Sequence, residues 1–590
     1  MADPGTIIAA ITITYSCAIK AWSTFQTALN YDDDSADLAL RLEIEKFRFQ
    51  TWALNVGLTK GTFDVNLHPI HELIAERLNR ITKLFEDAEK IKESFGLVIS
   101  EASKIRPDKL HGIMSGMASS IRSMGIKLDV EEKPKELKSK NIPDRVRWAL
   151  TSKSKFSKLV STLEEYIDKL DALLTETQKR AVKDDWKQIN IILVGDISAE
   201  YVEIIQQALR PNTVQSPSKS TSEIVNLIER KAIQASKSIQ FPGGAHSLEQ
   251  RDLGEFVVPT DMSAQNRVLA APKQKIQSIL GPGPFLLERK QYDANISIRD
   301  KRQLKSRFDR LILLLSSARS ENFRTFRAVG YCDDPGSFSW WLIFQCPFSI
   351  ASAEPHKCQT VSLMNAFSLK YKPALEDRFR LASLISKTFA ELLNSGWMHK
   401  NIRSENLLFP EAWDEEIASS KDRAVDISSP YLAGFEYSRQ DTEAVTIDKG
   451  KHLQDIRSAI YRHPDYQGEA ASGYRTNHDI YSFGLVIFEI ALWTPLLTIL
   501  DAKGGQSTGS VQLSSKMKTF HREEALELKK RILGRVDGEL GFRVGSKFRD
   551  AVRWCLTMSE NEDEVEWHPA LGFHKNVVAP LERCKTLYEE

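Results

Sequence analysis

The chain has no pattern of paired cysteines. Cys17, Cys332, Cys346, Cys358, Cys555 and Cys584 are scattered through 590 residues, and none forms a Cys-x-x-Cys pair. That argues against a disulfide framework and against a thiolate zinc site, and reduced thiols in a cytosolic setting are the plain expectation. Charge of one sign is missing too: 80 Lys and Arg against 79 Asp and Glu leave a net charge of +1. With no basic excess and no base-stacking motif, nucleic acid is not an expected partner. Glycine and proline are sparse through residues 1–180, which favours helix there. Asp3, not a basic cluster, precedes the apolar run Ile7–Ile19, so a secretory signal is not expected. Lys20 ends that run short of the ~20 apolar residues a membrane-crossing helix requires.

Length predicts roughly two to four domains. Residues 1–180 repeat apolar residues at spacings of three and four. Asp32-Asp33-Asp34-Ser35 reads as a loop before a helix over Ala36–Leu54, and Lys133–Lys140 as a solvated loop. Over Phe156–Lys179, Leu159, Leu163, Tyr166, Leu170 and Leu173 mark the buried stripe of one bundle helix. The run Ile189–Gly195 is too short for periodicity to separate strand from helix. Helices are expected over Tyr201–Leu209 and Ile224–Lys237, on either side of a Ser/Pro/Thr-rich linker at 211–223. Pro242-Gly243-Gly244 marks the next break.

The second half has the spacing of a catalytic loop and lacks its reactive group. His399-Lys400-Asn401-Ile402-Arg403-Ser404-Glu405-Asn406 fits His-Arg-Asp-x-x-x-x-Asn, with Asn401 in place of the aspartate. An amide cannot take a proton from a hydroxyl, a task worth on the order of 10²–10⁴ in rate. Upstream, apolar residues at helical spacing over Arg378–Trp397 suit a buried helix. Downstream, Gly434-Phe435-Glu436 stands where Asp-Phe-Gly would, so Gly434 offers no carboxylate and Glu436 lies two residues on. Arg462-His463-Pro464-Asp465 and Asp479-Ile480-Tyr481-Ser482-Phe483-Gly484 follow in order. These landmarks resemble the catalytic loop, the metal-binding strand, the Ala-Pro-Glu motif and the large buried helix of protein kinases. The resemblance implies a two-lobed kinase-like domain over 255–590, with an N-lobe at about 255–348 and a C-lobe at about 349–590.

In the implied N-lobe, Phe285-Leu286-Leu287-Glu288-Arg289-Lys290 resembles the strand ending in the nucleotide-gripping lysine, which makes Lys290 the candidate cofactor contact. No Gly-x-Gly-x-x-Gly precedes it at the usual distance. Gly281-Pro282-Gly283-Pro284 reads as a turn, and its prolines remove N–H groups that would cradle phosphate. The helix expected over Arg302–Ser317 has no glutamate, leaving Asp309 as the candidate lysine partner. Trp340–Gln345 reads as the strand entering the hinge. Asn406 is then the one metal ligand kept from the kinase pattern, so no resident cofactor or metal is expected and ATP should bind weakly at most.

At the other end, Leu40–Trp52 and Asp144–Leu150, followed by Lys155-Phe156 and Leu159-Val160, are similar to segments of the fungal HeLo domain of prion-inhibition and propagation proteins. That resemblance covers about 1–180. It implies a helical bundle whose first helix leaves it to damage membranes, with Ile7, Ile8, Ile11, Ile13 and Ile19 as the membrane-active residues. A bundle joined to a defective kinase also looks, by architecture alone, like the mixed-lineage kinase domain-like pseudokinases.

The expected fold class is α+β: an all-α bundle at 1–180, a helical brace and polar linker at 181–254, and the kinase-like domain. The expected role is a cell-death effector switched by a non-catalytic receiver. Its expected partners are membrane lipid, further copies of the chain and an upstream protein, and it would move from cytoplasm to plasma membrane. Thr442, Thr446 and Ser458 are available for phosphorylation in the activation-like segment. Two alternatives stay open: an interaction scaffold without membrane action, and a kinase of unusual chemistry.

Overall fold

A computed structural model describes residues 3–30, 36–86, 94–95, 97–100, 147–150, 152–196, 202, 226–233, 250–259, 262, 265–316, 322–347, 358–412, 424–440, 455–467, 473–501, 511–558 and 569–586. The loops expected at 32–35 and 133–140, the helix at 201–209 except for residue 202, the linker at 211–223, the break at 242–244, and both Thr442 and Thr446 lie outside the described residues. The chain divides into two compact units, 1–232 and 233–590.

Among its described residues the first unit has five long helices: α1 (Pro4–Ala28), α2 (Ala36–Asn55), α3 (His71–Glu86), α4 (Lys153–Asp171) and α5 (Glu176–Asp196). Pro4 starts α1 at no cost in hydrogen bonds, because the first N–H of a helix has no partner within it. α1 packs on α3, and α2 on α4 and α5. Trp22 of α1 stacks on Phe49 of α2 at 5.9 Å, and Phe49 on Trp52 at 6.2 Å, all three fully buried.

Three expectations for this unit need correction. Lys20 does not end the first helix, which runs for 25 residues. Helical geometry puts Lys20 on the exposed face while Ile19, Trp22 and Phe25 continue the buried one. As a result Pro4–Gln26 is long and apolar enough, by length and composition, to cross a membrane, with a mean hydropathy of 1.3. The unit is also not all helix. Strands β1 (Leu29–Asn30), β2 (Leu97–Ser100) and β3 (Arg147–Leu150) form a small sheet in the order β1-β3-β2, and β3 falls within the segment compared with HeLo helices. Runs of four residues are too short for periodicity to separate strand from helix. Lastly, Phe156–Lys179 is two helices. Thr175 Oγ accepts the Gln178 N–H at 3.3 Å while Gln178 Oε1 accepts the Thr175 N–H at 2.9 Å, a reciprocal box that starts α5 afresh. The undecided run Ile189–Gly195 is the end of α5.

α2 and α4 are joined by buried charge. Arg48 bonds Glu45 at 2.9 Å, Asp168 at 2.7 Å and Asp171 at 3.3 Å.

The second unit places a six-stranded sheet beside a helical part. With β4 (Gln250–Arg251), β5 (Phe256–Val257), β6 (Arg267–Pro272), β7 (Phe285–Gln291), β8 (Arg327–Asp334) and β9 (Ser339–Gln345), the order is β5-β6-β7-β9-β8-β4, and only the β4–β8 pair is parallel. Helix α6 (Gln274–Leu280) links β6 to β7, and α7 (Ile298–Ser316) links β7 to β8. Alternation splits β7 between two cores: Leu286 packs with Phe308 of α7, whereas Phe285 and Leu287 pack with Ile276 of α6. The helical part contains α8 (Leu375–Asn394), α9 (Thr476–Leu492), α10 (Arg522–Arg535), α11 (Ser546–Thr557) and α12 (Ala579–Thr586). Between α8 and α9 run β11 (Trp397–Met398), β12 (Leu407–Ala412), β13 (Tyr431–Leu432) and β14 (Arg439–Gln440), with β10 (Cys358–Ser362) pairing β12. α9 is apolar on nearly every side and buried from His478 to Ala491, so it is the axis of this part.

Burial pushes the Glu45 carboxyl up to about 7, against the opposing pull of Arg48. A carboxyl raised on folding holds its proton more tightly in the folded unit. The stability this proton supplies is complete below the ordinary value of 4.5 and is lost as pH rises through about 7. Relative to Glu45→Gln, the wild-type first unit should therefore lose roughly 1–3 kcal/mol between about pH 5 and about pH 8. Urea midpoints across that range test this, and parallel curves for the two proteins would refute it.

Candidate functional site

The catalytic-loop-like segment between β11 and β12 is held from below by α9. Asp479 accepts the backbone N–H of His399 at 2.6 Å and of Lys400 at 2.9 Å, and the Tyr474 hydroxyl donates to the same carboxylate. These bonds hold Lys400 in the left-handed region, at φ +65°. Burial pushes Asp479 up to about 6. A second buried carboxylate, Glu489, accepts from the Ser404 hydroxyl, from the Tyr461 hydroxyl at 2.8 Å and from the Leu496 N–H at 2.5 Å.

The His399 ring is fully enclosed. Nε2 lies 3.1 Å from the Ala433 carbonyl and Nδ1 accepts the Asn401 N–H at 3.3 Å, which assigns the hydrogen to Nε2. Burial pushes its pKa down to about 3, so it stays neutral. Phe435 packs against this ring, with centroids 4.5 Å apart.

Above the loop the sheet contributes side chains from β6 and β7. Arg267 and Glu288 are register partners across the two strands. Arg267 Nε donates to Glu288 Oε1 at 2.7 Å, Nη2 to Asn406 Oδ1 at 3.0 Å and Nη1 to the Glu405 carbonyl at 3.3 Å. Glu288 also accepts the Gly434 N–H, at 2.9 and 3.1 Å to its two oxygens. Asn406 Nδ2 donates to the Asn401 carbonyl at 2.8 Å, and Asn401 Nδ2 to Glu436 Oε1 at 2.8 Å. Burial, then the nearby Glu288 charge, raises the Glu436 pKa.

The structure thus brings His399, Asn401, Asn406, Gly434 and Phe435 together. Lys290 reaches the same cleft and donates to the backbone carbonyl of Glu436. Asp309 forms an ion pair with Lys305, one turn back on α7. The Glu436 carboxylate accepts from Asn401 Nδ2. Motif spacing singles out Lys290 and does not reveal Arg267 or Glu288. The available signal was Glu288 directly after the apolar run Phe285-Leu286-Leu287 and on the same strand face as Lys290. Ser458 Oγ accepts from Arg403 Nη1 at 2.7 Å.

The residues do not fit the magnesium–nucleotide pair that the kinase resemblance implies. Gly434 has a φ of +85°, and a Cβ there would come within 2.3 Å of the Asn406 side chain. An aspartate at 434 therefore has no room: Asn406 fills the space. A guanidinium already lies against the Asn406 oxygen. Among the described residues no group of three His, Cys, Asp or Glu could hold a metal ion. A cavity of about 300 Å³ lies away from this loop, against Tyr371, Lys372, Asp377, Arg380 and Trp493.

In the first unit, the five isoleucines chosen as membrane-active divide between two faces of α1. Ile7, Ile11 and Ile19 are buried in the core and Ile8 is half-buried, while Ile13 is 63% exposed.

Residues 5–199 match the HeLo family, described as prion-inhibition and propagation. The HeLo match thus covers the N-terminal part of the chain and reaches beyond residue 180 to include all of α5. No curated protein matches the chain.

Gly434→Ala should destabilise the second unit by about 2–4 kcal/mol, combining the collision with Asn406 and the left-handed backbone. Gly434→Asp should do so at least as strongly and should yield no phosphoryl transfer. Denaturant midpoints of the full chain check this; an unchanged midpoint for Gly434→Ala would sink the close-packed reading of the cleft.

Proposed function

We propose that this chain is a cell-death effector in which the HeLo unit acts on membranes and the second unit is a non-catalytic, kinase-like receiver. The observation that carries the membrane half is α1: a 25-residue helix, apolar enough to span a bilayer, within a region matching the HeLo family. The receiver half is supported by the ordered landmarks from His399 to Gly484. The sheet order β5-β6-β7-β9-β8-β4 adds support, because α7 crosses between β7 and β8 as the lysine-partner helix of a kinase N-lobe does. Asn401 and Gly434 remove the proton acceptor and the metal carboxylate, and so support a receiver over a catalyst.

On this reading the chain rests in the cytoplasm and moves to the plasma membrane when an upstream protein shifts the receiver. Ser458, close to Arg403, is the described candidate for a phosphorylation that would add negative charge beside a guanidinium. Self-association is part of this reading, because one helix crossing a bilayer opens no passage through it, whereas several together can line one.

One observation favours the scaffold alternative. The inner face of α1 (Ile7, Ile11, Tyr15, Ile19, Trp22 and Phe25) is part of the core. At ~1.5–3 kcal/mol per large side chain, withdrawing it costs on the order of 10 kcal/mol before any gain from lipid. A scaffold would leave α1 in place.

Dye release from anionic vesicles separates the two readings. The full chain and residues 1–232 are both tested, the second lacking the receiver. The effector reading expects release by 1–232, reduced at least about tenfold by Ile13→Asp, which puts charge on the exposed face. Ile11→Asp is a poorer probe, because it buries a charge and should unfold the bundle. Vesicles left intact by folded 1–232 would overturn the effector reading in favour of the scaffold.

A further inference from the structure

The cleft of the second unit has a donor set that the receiver reading does not use. A carboxylate oxygen of Glu288, an amide oxygen of Asn406 and the backbone carbonyl of Glu405 all converge on one group. Carboxylate, amide and carbonyl oxygens are the donors that hard divalent cations take. Here the group they surround is the Arg267 guanidinium, at 2.7, 3.0 and 3.3 Å respectively. The donors come from β7 and from the loop ahead of β12, so the cation bridges the sheet and the helical part. Glu288 is 2% exposed, whereas the Arg267 side chain is 22% exposed, so solvent reaches the cation and not its acid partner.

We propose that Arg267 is a built-in cation filling an oxygen-donor site, and that a divalent cation can enter this site only when the guanidinium is removed. The inference stands on the cleft geometry alone and does not depend on the membrane reading. It explains why the magnesium–nucleotide pair does not fit: the positive charge that would come with the ligand is already attached to β6. It also gives Glu288 a role where the kinase pattern has no acid. Glu288 balances the guanidinium and, through the Gly434 N–H, holds the backbone that would otherwise carry a metal-binding aspartate. Glu436 lies close enough to Glu288 for their charges to interact, so removing Arg267 leaves two carboxylates with reduced compensation and increases the demand for a cation.

The test uses the full chain and manganese(II), with melting temperature and the manganese EPR signal as readouts. For wild type, millimolar manganese, with or without ATP, should leave the melting temperature unchanged and the EPR signal that of the free ion. A rise of about 2 °C or more that Glu288→Gln abolishes would overturn the proposal, and this arm needs no Arg267 variant to fold. Arg267→Met should melt below wild type in chelator, regain several degrees in manganese and bind about one ion per chain, a gain that Glu288→Gln in the same background removes. Arg267→Lys, which keeps a charge at the site, should remain insensitive to manganese. A folded Arg267→Met that ignores manganese would overturn the proposal, as would one that stays insoluble when refolded with manganese. Refolding that succeeds only with the ion would support it.

Discussion

The guanidinium of Arg267 joins chain segments about 140 residues apart in sequence: its contacts run from β6 to the loop carrying Glu405 and Asn406. None of these groups would be stable in the cleft alone, since a buried carboxylate without a partner costs several kcal/mol. Together they satisfy one another, and the remaining lone pairs of Glu288 are taken by the Gly434 N–H. The cost of breaking one member exceeds the benefit of forming the pair. Such a network therefore adds little net stability, yet it strongly disfavours any arrangement in which the sheet and the loop are displaced. The cleft is held closed by specificity more than by energy.

The loop under that guanidinium is shaped by groups that need no reaction to justify them. Asp479 orients two backbone N–H groups, and Glu489 orients two hydroxyls and the Leu496 N–H. Both carboxylates are buried on α9, and neither faces the cleft. Shape and chemistry are thus carried by different residues. On the receiver reading, Asn401 and Gly434 alter the chemistry and leave the supports in place, so the loop keeps its spacing without a reactive group. Gly434 goes further, because its missing Cβ is what allows Asn406 to approach. Its identity is required by packing, so an aspartate cannot be placed there by one substitution.

What could be read from the sequence follows from how local each signal is. Apolar periodicity placed α2 and α8 to within a few residues, and the spacing of the kinase-like motifs placed α7, α9, β7 and β9. The first unit's small sheet was invisible because β1 has two residues and β2 and β3 four each, below the length at which period two and period 3.6 differ. The break between α4 and α5 was legible in principle, since Thr175-Glu176-Thr177-Gln178 has the spacing of a capping box, but an uninterrupted apolar stripe masked it. In the cleft, residue types within one loop were legible and cross-chain pairings were not. Motif spacing favours a lysine, and so points to Lys290. The burial of Glu288 opposite Arg267 depends on strand register, which a single strand cannot reveal.

The same separation between local pattern and partner applies to α1. Composition marks it as able to enter a membrane; tertiary packing decides whether it does. Its outer face, with Ala9, Ala10, Ile13, Ser16 and Cys17, is small and weakly polar, and Thr14 returns its hydroxyl to the Ala10 carbonyl at 2.8 Å. That face can meet lipid or another helix with little desolvation cost, whereas the inner face must first give up the contacts of Trp22 with Phe49 and Phe85. On the effector reading, contact by the outer face therefore comes first and withdrawal of the inner face second. The upstream switch has to act on the second step, because that is where a barrier on the order of 10 kcal/mol lies. To move such an equilibrium from held to released, the trigger and the gain from lipid must together exceed that cost of about 10 kcal/mol. A single surface ion pair, at ~0–1 kcal/mol, is too weak for that. Several copies releasing together, each sheltering the next one's apolar face, reach the required scale without any one contact being strong.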